Sequence, residues 1–139
     1  MKRVAFAFAS ALAIAACSGS GSSSSSSPSG PSPTSPTTPP ADAVATNTIT
    51  IANGVATPKN VKVTRGTQVT FINNDTQSHN MTSDPHPDHI DCPEINSVGV
   101  VGPGLTKRTD NMVTNKAVCG FHDHDAPNVA GLQGSITIQ

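Results

Sequence analysis

Five histidines and two cysteines fall within about a third of this 139-residue chain: His79, His86, His89, His122 and His124, with Cys92 and Cys119. Imidazole and thiolate bind zinc and copper better than other side chains, so their concentration in one region predicts a metal site. The remaining cysteine, Cys17, stands apart near the start of the chain.

One stretch is unusually dense. Ser83-Asp84-Pro85-His86-Pro87-Asp88-His89-Ile90-Asp91-Cys92-Pro93 sets His86, His89 and Cys92 at successive spacings of three, beside Asp84, Asp88 and Asp91. Such a run could chelate a second metal or join the first site, and its plainer reading is an acidic surface loop with solvated histidines. Prolines on both sides of His86 favour a stiff loop and disfavour the helical H-x-x-H of metalloproteases, which also requires a glutamate.

The two late cysteines allow opposite chemistries. Outside the cytoplasm they read first as a disulfide, Cys92–Cys119, whose loop closure would stabilise the fold by roughly 3.5 kcal/mol on a chain-entropy estimate. That bond would consume a thiolate and leave a histidine-only site. A free Cys119 three residues before His122 would instead offer sulfur and imidazole to one ion.

The elements that must hold these groups are strands. Thr48 to Ile51, Val61 to Val63, Val69 to Ile72 and Ile136 to Ile138 alternate β-branched or aromatic residues with polar ones, between Gly, Pro and Asn. No window shows a capped helical stripe. The expected class is all-β, a Greek-key sandwich or barrel over residues 46–139, long enough for one domain. Its only aromatics are Phe71, a core filler, and Phe121, placed to shield a site between Cys119 and His122.

The chain before this domain is of two kinds. Lys2 and Arg3 precede the apolar run Val4 to Ala16, which is too short to span a bilayer, and Ile14-Ala15-Ala16-Cys17 follows. This resembles a bacterial lipoprotein signal over 1–17, which implies lipidation of Cys17 and a domain anchored at the cell envelope, facing the periplasm or exterior. Residues 18–45 are Ser-, Gly- and Pro-rich, with little to bury, and read as a disordered tether. Without Lys2 and Arg3 the chain carries six basic and nine acidic residues, a net charge of −3 with neutral histidines, so nucleic acid is not expected as a partner.

Pro58-Lys59-Asn60-Val61-Lys62-Val63-Thr64-Arg65-Gly66-Thr67-Gln68-Val69-Thr70-Phe71-Ile72-Asn73-Asn74-Asp75, with His79-Asn80 after it, resembles the N-terminal half of cupredoxins, the small blue-copper β-sandwich proteins. Pro103-Gly104-Leu105-Thr106 is similar to the turn into their penultimate strand. Cys119-Gly120-Phe121-His122 and Gly134-Ser135-Ile136-Thr137-Ile138 are similar to their ligand loop and last strand. The resemblance implies one copper ion held by His79 from a loop, the Cys119 thiolate, and either His122, as in plastocyanin-like C-x-x-H loops, or His124, as in azurin-like loops. No methionine follows Cys119, so the axial place falls to His124, to Met81 or to nothing.

The expected function is a one-electron carrier, not an enzyme, working with a redox partner protein. The alternative is a copper-binding or copper-delivery protein with a histidine-rich site, a Cys92–Cys119 disulfide and no electron transfer, which exchanges the ion with a donor or acceptor.

Overall fold

The computed structural model describes residues 32–139. The leader over 1–17, the lipidation site Cys17 and the first part of the tether, 18–31, lie outside the described residues.

Ten strands follow in chain order: β1 (Val44–Ala45), β2 (Thr48–Ala52), β3 (Val55–Thr57), β4 (Asn60–Val63), β5 (Thr70–Asn73), β6 (His79–Ser83), β7 (Gly99–Val101), β8 (Thr106–Arg108), β9 (Val118–Asp123) and β10 (Gly134–Ile138). Short 3₁₀ turns at Pro93–Ser97 and Ala130–Leu132 complete the set. The strands form two sheets, a six-stranded one in the order β1-β4-β10-β9-β6-β7 and a four-stranded one in the order β3-β2-β5-β8. This is the expected all-β sandwich.

All four stretches read as strands from their alternation are strands, as β2, β4, β5 and β10. In β2, β4 and β5 period-two patterning survives folding because one face of each is buried: Ile49 and Ile51 of β2, Val61 and Val63 of β4 and Phe71 of β5 all enter the core, whereas β10 is buried on both faces. Phe71 meets Phe121 edge to face, with ring centroids 5.3 Å apart. That contact makes both rings core residues, so Phe121 packs away from the histidines. Between β2 and β3, Asn53 and Gly54 both have positive φ (52° and 70°), the geometry of a tight two-residue hairpin turn. The Asp75 carboxylate accepts both of their backbone N–H groups, at 2.5 and 2.9 Å.

Two elements depart from expectation and both bear on the site. The Pro103–Thr106 turn does lead into a strand, β8, but that strand pairs with β5 at a sheet edge and the penultimate strand is β9. Residues 119–122, expected as a ligand loop, lie inside β9, a central strand held between β10 and β6.

The later tether residues take part in the fold. Pro33 is buried and its carbonyl accepts the backbone N–H of His86 (3.3 Å), while Ser35 Oγ accepts the N–H of Gly120 (2.8 Å). Asn60 donates to Asp42, and Val44–Ala45 pairs in parallel with β4. Prolines make this docking cheap, because a chain already restricted in φ loses little freedom on being fixed.

Candidate metal centre

Strand β9 decides which side chains can meet. Neighbouring residues on a strand point to opposite faces, so Cys119, Phe121 and Asp123 share one face while Gly120 and His122 share the other. The backbone N–H of His124 donates to Asn80 O at 2.7 Å, which prolongs the β6–β9 pairing and keeps His124 in the parity of His122. The two histidines therefore project together.

The second pair comes from the segment after β6. Asp84 N–H donates to Gly120 O (3.1 Å) and Asp91 N–H to Asp84 O (2.9 Å), so residues 84–91 form a loop that closes on itself beside β9. Within it Pro85 and Pro87 fix the backbone around His86. His89 adopts a left-handed conformation, φ 53°, at a cost of about 1 kcal/mol for a residue with a side chain. It is held there by its own Nδ1–H, which donates to Ser83 O (2.9 Å), and by Asn96, whose amide donates to His89 O (2.8 Å).

These elements bring His86, His89, His122 and His124 together, with one donor nitrogen from each lying within 4.8 Å of all the others. His89 and His122 stack at 5.1 Å between ring centroids, and His86 sits 5.2 to 5.5 Å from the other three rings. Among the described residues this is the one group of three or more His, Cys, Asp or Glu donors that converges so closely. Loop and strand histidines make a single site.

Hydrogen bonds assign the nitrogens. His122 Nδ1 lies 2.7 Å from the buried Asp84 carboxylate, so Nε2, 3.4 Å from the Thr82 hydroxyl, is the nitrogen that would meet an ion. The Ser83 contact does the same for His89, whose Nε2 faces His124 Nδ1 at 2.9 Å. His86 Nδ1 is buried without a partner among the described residues. An unpaired buried nitrogen costs on the order of 1–3 kcal/mol, which a bound cation would relieve. Burial, and then the nearby His122 and His124, push His86 and His89 below the usual imidazole range. Both effects favour the neutral ring, the form that binds metal.

Four other expected ligands are elsewhere. Cys119 and Cys92 are joined in a disulfide, fully buried in the core, so neither offers a thiolate. Even without that bond, Cys119 points to the opposite side of β9 from His122, because an odd spacing on a strand separates faces. Met81 is likewise a core side chain of β6. His79 is the first residue of β6 and not part of a loop, and it shares the inward parity of Met81. Its Nδ1 lies 2.8 Å from Asp123 and its Nε2 3.1 Å from Asp75, so both ring nitrogens are engaged by carboxylates.

The choice between His122 and His124 is also resolved differently, since both converge. The missed signal was His122-Asp123-His124 itself: two histidines at i and i+2 share a face once the segment is read as a strand.

No family model matches the sequence, and no curated sequence matches it. Solved structures do match the fold. A mutant fern plastocyanin aligns at 15% identity with a TM-score of 0.51, covering 66% of this chain and 99% of that one. The oxidised plastocyanin of Dryopteris crassirhizoma gives 14%, 0.51 and the same coverage. A mutant amicyanin in its Cu(I) form gives 14% and 0.52, over 66% of this chain and 80% of its own.

Proposed function

We propose that this chain, a cupredoxin-like sandwich with a histidine cluster in place of a thiolate site, is a copper-binding protein of the cell envelope. It holds one copper ion through His86, His89, His122 and His124 and exchanges it with a copper donor or acceptor. The observation that carries this reading is the convergence of four imidazoles beside a disulfide that removes both late cysteines from coordination. Imidazole nitrogens suit zinc and copper alike, and for one nitrogen site Cu(II) binds more tightly than Zn(II), so copper is the expected occupant. The solved neighbours support the choice of metal, one of them being in a Cu(I) form.

The function is binding, not catalysis. A one-electron carrier built on a Cys119 thiolate is not what this site supports. Lys2, Arg3, the apolar run to Ala16 and Cys17 support the envelope anchor and the membrane as a surface of attachment.

Titration of the purified, unreduced protein with Cu(II) tests the reading. One ion should bind per chain with only weak visible bands and an electron-paramagnetic signal of nitrogen ligation. An intense thiolate charge-transfer band, or no binding, would overturn it.

A further inference from the structure

Asp84 is one of the few buried charged side chains, 3% exposed, and it stands at the junction of β6 and the histidine-bearing loop. Its Oδ1 lies 2.7 Å from His122 Nδ1, an N–H donated from ring to carboxylate. The place is prepared for it. A Cβ on Gly120 would collide with this carboxylate, and Ser35 closes over the same glycine. The backbone of Asp84 is fixed on both sides, through its N–H to Gly120 and its carbonyl to Asp91.

Among the described residues no other carboxylate is hydrogen-bonded to a histidine of the cluster. A carboxylate therefore bonds directly to one ring of the four, while Asp88 acts on His86 and Asp84 itself on His89 only through space. A carboxylate on the outer nitrogen of a ligating histidine fixes the tautomer and ring orientation and makes the inner nitrogen a stronger donor. A buried negative charge also attracts a doubly charged ion about twice as strongly as a singly charged one at the same place.

Resting on the copper-binding reading above, we propose that Asp84 is the positioning residue that sets the oxidation state the site prefers, holding Cu(II) in favour of Cu(I) through His122. Asp84→Asn tests it, since the amide oxygen can still accept the His122 N–H while the charge is gone. Affinities for Cu(II) and for Cu(I) are measured separately by competition with chelators of known strength, together with the midpoint potential. Cu(II) affinity should fall roughly 10–100-fold. Cu(I) affinity should fall by only about the square root of that, so that the ratio of the two drops roughly 3–10-fold and the potential rises by about 30–60 mV.

A merely structural role would weaken both ions alike, and that result, or no change in either, overturns the proposal. A second measurement needs no variant. In the unaltered protein loaded with Cu(I), nitrogen-15 spectra should show His122 protonated at Nδ1 and metal-bound at Nε2, and metal at Nδ1 would overturn it equally. Failure of the unaltered protein to bind either ion would instead remove the copper-binding reading and this inference with it.

Discussion

Cutting the Cys92–Cys119 bond should unfold the domain more readily without turning it into a blue copper protein. The bond closes a sequence separation of 27 residues. Removing that closure from the unfolded ensemble returns about 12 cal/mol/K of chain entropy, or about 3.5 kcal/mol at 25 °C. For a domain of about 100 residues that is a large share of a typical total of ~5–15 kcal/mol.

The same bond ties the loop bearing His86 and His89 to the strand bearing His122, each attachment three residues from the nearest ligand. Urea denaturation of the metal-free protein, with and without prior reduction and alkylation of the unfolded chain, reads the stability. Cu(II) spectra of a Cys92→Ala, Cys119→Ser variant and of a Cys92→Ala variant read the chemistry. Stability should fall by about 3.5 kcal/mol. The Cys92→Ala protein should show no intense thiolate band, because Cys119 faces the core on the side of β9 opposite His122. A loss under about 1 kcal/mol would refute the chain-entropy argument. An intense band in the Cys92→Ala protein would refute the assignment of faces along β9.

Two further outcomes follow from groups around the sandwich. His79→Gln should leave the copper stoichiometry at one and the Cu(II) spectrum unchanged, while lowering stability by roughly 2 kcal/mol through the lost contacts with Asp75 and Asp123, as read by urea denaturation and metal titration. On the acid side, the backbone N–H of Gly54 holds Asp75 below its ordinary value of 3.8, outweighing burial with help from Asn53 and His79. Burial raises Asp91, but Lys116 and Ser35 more than reverse it. Because both carboxyls are depressed in the folded state, their contribution is whole above 3.8 and disappears as pH falls through the lower folded values. Denaturation midpoints should therefore decline below about pH 4, and a midpoint constant down to pH 2 would contradict the assignment.

The sandwich was readable because its framework strands carry one buried face, and alternation at Ile49, Ile51, Val61, Val63 and Phe71 is the direct imprint of that burial. The site was readable in composition and only partly in arrangement. Strand β9 reads V-C-G-F-H-D, without the regular alternation of β2, because both of its faces are covered: Cys119 and Phe121 by the core, Gly120 and His122 by Asp84, Ser35 and the returning loop. A strand buried on both sides loses its period, so the segment passed for a loop and its cysteine for a ligand. His79 misled for a related reason. Its place after β5 matched a copper ligand, yet Asp75 close by in sequence and Asp123 far along it hold its ring. A Cys92–Cys119 bond was the one sequence feature that would draw the loop of His86 and His89 toward β9. The left-handed backbone at His89 and the contacts of Ser83 and Asn96 that set it are visible only in three dimensions.

The docking of Pro33 and Ser35 gives the molecule a direction. The chain reaches the sandwich beside His86 and crosses the strand that carries His122 before it ever enters β1. A lipid at Cys17 would therefore lead to the outer face of the six-stranded sheet, the face on which the histidines stand.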